Sequence, residues 1–400
     1  MIYVPFLFFL FVLIYFFFSN KHAGFLVLST FGLLYYIYSP YMAFITGIVD
    51  GFPGIENWSV TFAHAKDEYE VLLFLSSAII LSMYLFVDFF SRIKFPNIRA
   101  SRISPVTILL FFIVFIGILF VIWFRARGLF FKGYLTDYST SLMGQMATIN
   151  LLMNFLLLYS FLAGYRKSFN FILIFILINS ILLLSMGGRM YVVTIIVSWA
   201  LYFSNLSTGI QRFKLVIFLL FFVLFFLSIG IFRLGIKDFS FLPYIFLGEP
   251  IFTSYSSSSF LGNNDIPVLG HISLYIKSYI GLLPSFFFSD KTQLYTLPQH
   301  MGYDFIAPLG ATSIVVYLTV SFGVIGSPAF FILLSFVFTF IKKQSNNGFL
   351  WIVIYYTMLS IVPFILFRES FYVSTRALVL PSVVLPLLLL ACDKFLKVFK

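Results

Sequence analysis

The chain has 400 residues, of which 61% are hydrophobic and 10% charged, with a formal net charge of +11 and one cysteine. One soluble core of this size cannot hide that much apolar surface, whereas lipid solvates it directly. A lone cysteine, Cys392, excludes an intramolecular disulfide, and no Cys/His cluster has zinc spacing.

The apolar runs are long and continuous rather than short and alternating as in a β-barrel, so the fold class is all-α, a polytopic integral membrane protein. Spanning helices are expected near 2–18, 24–42, 71–90, 105–124, 148–165, 169–186, 190–206, 213–232, 311–341, 349–367 and 372–391, about 11 in all. Most have the roughly 17–25 residues needed to cross a hydrocarbon core. The first run lacks a basic start and a small-residue cleavage site, and reads as a retained helix rather than a signal peptide. At the outer end of the second, Tyr35, Tyr36, Tyr38 and Tyr41 are expected to form an interfacial aromatic belt. The ninth is too long for a straight crossing, and Gly323, Gly326 and Pro328 predict a kink or a re-entrant start.

The chain reads as one transmembrane domain over 1–400, with one large outer loop at 233–310 that is too short and too apolar for a soluble domain. Within it, 272–288 predicts a helix lying in the interface or dipping into the membrane, and 253–265 reads as an exposed loop. A second outer loop, 43–70, carries several acids.

Charge sets the orientation. Lys21; Arg92, Lys94, Arg99 and Arg102; Arg166 and Lys167; Arg212 and Lys214; Lys342 and Lys343; and Lys394, Lys397 and Lys400 fall in alternate connections. Nearly all the acids occupy the other set. The positive-inside rule places the basic set in the cytoplasm, the N-terminus outside and the C-terminus inside. That explains the positive charge better than nucleic acid does, since no basic stretch is long enough to track a phosphate backbone.

Arg125, Arg127, Arg189, Arg233, Arg368 and Arg376 break this pattern by lying at outer helix ends. Arginine stays charged when partly desolvated, and its planar fork suits a phosphate or carboxylate at headgroup depth. The plainer alternative is that each snorkels to lipid or pairs with a local acid such as Glu369. Arg189 follows Ser185-Met186-Gly187-Gly188, a tight turn whose next helix begins with exposed N–H groups. Arg233 precedes Lys237 by four residues, and Arg376 follows the Arg368-Glu369 pair.

Candidate acid/base groups on the outer side are Asp238, Glu249, Asp265, His271, Asp290, His300 and Asp304. Glu249 precedes Pro250 in apolar surroundings that raise a carboxyl pKa on burial. There is no Asp-x-Asp pair, Walker loop, Gly-x-Ser-x-Gly elbow or HExxH, so no metal, cofactor or nucleotide-driven reaction is indicated. Ionisable residues are almost missing from the helix centres, which weighs against an ion-coupled transporter.

Three features resemble bacterial O-antigen polymerases, the oligosaccharide repeat unit polymerases. These are the helix number with one large late outer loop, the turn Leu184-Ser185-Met186-Gly187-Gly188-Arg189, and the passage from Pro308 and Ser313 through Tyr317 to Ser321-Phe322-Gly323 and Gly326. The chain departs from the family at Ile314-Val315-Val316-Tyr317, where an acidic residue is often found. The resemblance implies a metal-independent glycosyltransferase of the bacterial inner membrane. Such an enzyme transfers a growing undecaprenyl-pyrophosphate-linked glycan to a new lipid-linked repeat at the periplasmic face. It also implies a chain-length regulator protein as partner. In that reading Arg189, Arg233 and Arg376 bind the pyrophosphate, and Glu249 or His271 accepts the acceptor hydroxyl proton. A flippase for lipid-linked oligosaccharides and an O-antigen ligase using a loop histidine, His271 or His300, are the alternatives.

Overall fold

The computed structural model describes residues 24–47, 57–131, 140–207, 242–283, 298–307 and 311–398, with isolated positions 211, 214, 217, 221 and 225. Its helices are α1 (Phe25–Thr46), α2 (Trp58–His64), α3 (Lys66–Arg92), α4 (Pro105–Ala126), α5 (Thr140–Leu162), α6 (Arg166–Met186), α7 (Arg189–Leu206) and α8 (Leu242–Asn263). After these come α9 (Ile272–Ser278), α10 (Ile314–Gln344), α11 (Phe349–Ile361), α12 (Ile365–Arg368) and α13 (Phe371–Val398). Among the described residues there is no strand, and eight helices are long and apolar enough to cross a bilayer. Helix α11 is apolar but has 13 residues. The expected span 2–18, and 213–232 apart from its isolated positions, lie outside the described residues.

The contacts divide the chain into two compact units. The first comprises α1–α3, α8, α9, α10 as far as Thr339, and Val362–Arg376. The second comprises α4–α7, the end of α10 from Phe340, α11, and α13 from Ala377.

In the first unit, α1 is apolar on all sides and widens to a π turn at Leu34–Tyr38. Pro40 follows, and a proline leaves the carbonyl four residues back, Tyr36 here, without its helical donor. Widening the turn resets the ladder. In the second unit α13 repeats the device, with a π turn at Leu380–Val384 ahead of Pro386. The tyrosines of α1 do not form a lipid-facing belt. Tyr36, Tyr38 and Tyr41 are buried, and Tyr38 and Tyr41 donate to Leu73 O (3.0 Å) and Glu70 Oε1 (2.6 Å) of α3. Tyr69 donates in return to Ile37 O at 3.1 Å. Pairing with α3 satisfies hydroxyls that sequence position alone assigns to the headgroups.

The segment 253–265 is also a correction, because α8 continues through Asn263. Serine and threonine favour loops when their hydroxyls compete for backbone groups. Here they bond backward along the same helix, from Thr253 to Glu249 O (2.9 Å), Ser254 to Ile251 O (2.9 Å) and Ser257 to Thr253 O (3.3 Å). Being small, they let α8 approach α2 closely, and Ser254 accepts from Trp58 Nε1 at 2.9 Å.

Helix α10 carries the expected kink. Gly323 has φ 67° and ψ −177°, a conformation reserved for glycine. The break opens the helical pair between Val320 C=O and Val324 N–H, and the non-helical segment 267–271 takes both. His271 N–H donates to Val320 O at 2.7 Å, while Val324 N–H donates to Pro267 O at 3.2 Å.

In the second unit, amides bind the spanning helices to one another. Trp123 donates to Asn179 Oδ1 (3.0 Å), Asn150 to Ser180 Oγ (3.1 Å), and Trp199 to Asn154 Oδ1 (3.0 Å). With little hydrophobic force between helices in lipid, small-residue packing and such bonds hold them together. Outward faces are apolar: Phe74, Leu81 and Phe89 of α3 in the first unit, and Ile113, Phe120 and Val121 of α4 in the second, are exposed. Lipid is the solvent that matches them.

Candidate functional site

Helix α8 brings Glu249 to the short α12 in the first unit. Arg368 ends α12, its N–H bonded to Phe364 O at 3.0 Å, and Glu369 follows with its N–H on Ile365 O at 3.1 Å. The guanidinium therefore projects from one fixed turn. Its Nε donates to Glu249 Oε2 at 2.6 Å and its Nη1 to Glu369 Oε1 at 2.6 Å. The three side chains are 19%, 9% and 11% exposed. Burial works against the charge on Arg368, but the carboxylates of Glu249 and Glu369 override it and hold its pKa above the ordinary arginine value.

Aromatic packing fixes the turn. Phe367 lies between Tyr36, with centroids 6.3 Å apart, and Phe331, 6.1 Å away. Gly32 makes room for it, since a Cβ there would lie 2.2 Å from the Phe367 ring. The Tyr36 hydroxyl is buried within electrostatic reach of the cluster and has no hydrogen-bond partner among the described residues. Two carboxylates against one guanidinium leave the cluster net negative. It suits holding a hydroxyl and taking its proton better than it suits gripping another anion.

His271 lies elsewhere in this unit, exposed at the start of α9. Its backbone is pinned to α10 by the Val320 bond. Helix α9 buries Leu274 and Ser278 and exposes Ile272 and Ile276. Residues 284–297, which include most of the second half of the expected helix 272–288 and Asp290, lie outside the described residues. Tyr275 packs against Phe322, Phe330 and Phe371, and burial pushes its phenol pKa above the ordinary value. Ser278 and Thr375 share a 3.1 Å hydrogen bond, which joins α9 to α13 one residue from Arg376.

The arginines expected at outer helix ends acquire separate surroundings. Arg376 lies over the Tyr372 ring at 5.5 Å and Arg127 over Phe124 at 4.4 Å. Arg368 is held by the two glutamates, so the ion-pair reading of that turn is realised, with Glu249 as the additional member. Arg189 is half-buried at the first position of α7. The turn before it closes α6 with Gly188 N–H on Leu183 O (2.8 Å) and Gly187 N–H on Leu184 O (3.1 Å), and Gly187 has φ 98°. Arg189 belongs to the second unit and Arg376 to the first, while Arg233 lies outside the described residues. Among the described residues no three His, Cys, Asp or Glu side chains gather closely enough to hold a metal ion.

No protein-family model, no curated protein and no solved structure matches this chain.

Proposed function

We propose that this chain is a bacterial inner-membrane glycosyltransferase of the O-antigen polymerase type. The observation that carries the reading is the buried Glu249–Arg368–Glu369 cluster, a fixed ionic site in a chain otherwise built for lipid. Ionisable groups are costly in such surroundings and mark functional sites by default.

In this reading the chain crosses the membrane about 11 times, with the N-terminus and the 233–310 loop periplasmic and the C-terminus cytoplasmic. The acceptor sugar hydroxyl attacks the anomeric carbon of the growing glycan. Its oxygen forms the new glycosidic bond as the bond to pyrophosphate breaks, and the electron pair leaves with undecaprenyl pyrophosphate. Glu249 or His271 takes the hydroxyl proton. Arg189, Arg233 and Arg376 stabilise the developing pyrophosphate charge, an interaction that strengthens in the transition state. The lipid tails hold donor and acceptor at one depth, which lowers the entropic cost of their meeting. A chain-length regulator is the protein partner.

The test is a lipopolysaccharide gel from a strain lacking the gene, complemented with wild type, Arg189→Ala or Glu249→Gln. A ladder that collapses to core plus one repeat and returns only with wild type supports polymerase action. An unchanged ladder in the deletion strain rejects it. Loss of every surface repeat moves the assignment to flippase or ligase.

A further inference from the structure

One end of the second unit is organised by a segment without regular structure, 94–104. Gln344, at the end of α10, accepts from Ile98 N–H (3.0 Å) and donates to Pro96 O (2.6 Å). Trp351 of α11 donates to Ile98 O at 2.8 Å. Further on, Ile103 N–H donates to the Tyr159 hydroxyl and Ile103 O accepts from Tyr165, both at 2.8 Å. Arg102 donates to Ala163 O at 2.5 Å. The segment ends where Ser104 N–H and the Thr107 hydroxyl donate to Asp393 Oδ1 of α13, at 2.8 and 3.0 Å. One strap thus gathers the ends of α5, α6, α10, α11 and α13.

Each of these connections carries cations. Arg99, Arg102, Arg166, Lys167, Lys342 and Lys394 are all exposed. The one acid among the described residues of this unit is Asp393, which is 1% exposed and already engaged by the strap and by Lys397 at 2.5 Å. Exposed apolar side chains are interleaved with the cations: Ile98 beside Arg99, Phe395 beside Lys394, and Phe349 at the start of α11.

We propose that this end of the second unit binds the headgroups of anionic phospholipids. The cations match phosphate, and the apolar side chains match the upper acyl chains, which a soluble acidic protein does not offer. Basic clusters at the ends of spanning helices attract anionic lipid in this way. The strap adds geometry, because it fixes Arg99 and Arg102 relative to the cations on the helix ends.

Native mass spectrometry of the full-length protein released from vesicles of equal phosphatidylglycerol and phosphatidylcholine tests this. Wild type is expected to retain phosphatidylglycerol preferentially. The triple variant Arg99→Gln, Arg102→Gln, Lys394→Gln is expected to lose about tenfold or more of that preference. Gln344→Ala removes no charge but releases the strap, and should lower the preference by a smaller factor while Tm stays within a few degrees. Lys277→Gln, in the first unit, should leave it unchanged. Equal retention of the two lipids by wild type would overturn the proposal and leave the patch to an acidic soluble partner. An undiminished preference in the triple variant, or an equal loss in Lys277→Gln, would overturn it as well.

Discussion

Arg368 is the one positive charge between two buried carboxylates, and its removal leaves them to repel each other without solvent. Breaking a buried ion pair from one side costs roughly 3–5 kcal/mol. Arg368→Ala is therefore expected to lower the midpoint of thermal unfolding in detergent by many degrees. Arg368→Lys, which keeps the charge but loses the two-pronged donor, should cost less. Glu249→Gln keeps the shape and a weaker bond to Nε, so it should fold and yet make no polymer if Glu249 is the proton acceptor. Normal polymer from a folded Glu249→Gln would pass that role to His271. Glu249 and the Arg368-Glu369 pair were each legible in the sequence as chemistry-bearing residues. Their meeting was not, because positions 119 residues apart are joined only by tertiary packing. Glu249 is indeed buried, but the apolar surroundings expected for it contain a guanidinium, which its carboxylate engages.

Elements show the same division between what local pattern carries and what packing decides. The eight helices long and apolar enough to cross a bilayer were legible because long apolar runs announce themselves, and the kink in α10 was legible from Gly323 and Pro328. What fills the kink was not, since the partner segment comes from 267–271, which has no pattern of its own. Likewise the serine run of α8 reads as loop until its hydroxyls are seen to bond their own helix. The fit at the kink is tight: a Cβ on Gly323 would lie 2.2 Å from Val268 O, and one on Gly270 2.3 Å from Phe322 N. Gly323→Ala should therefore expel the 267–271 segment, at a cost of roughly 1–3 kcal/mol in backbone strain before the clash is counted. Hydrogen exchange reads this directly. The amides of His271 and Val324, both hydrogen-bonded in wild type, should exchange faster in the variant, and unchanged protection at both would show that the segment is not held by the kink.

At the scale of the whole molecule, membrane residence follows from outward faces that only lipid solvates, whereas orientation follows from charge alone and is open to direct test. Positive-inside places the 94–104 strap with the cytoplasm and the connection that carries Leu269 and His271 with the outside. In a Cys392→Ser background, Leu269→Cys should react with a membrane-impermeant thiol reagent in intact cells, because Leu269 is 75% exposed. Arg99→Cys should react only after the inner membrane is permeabilised. Ser257→Cys separates topology from burial. A loop at 253–265 would make it reactive from outside, but a side chain 3% exposed in α8 should stay unreactive on either side of the membrane. Labelling of the Arg99 position in intact cells would reverse the orientation. It would then place the Glu249–Arg368–Glu369 cluster on the cytoplasmic side, where a periplasmic polymerase has no substrate, and the proposed function would fall with it.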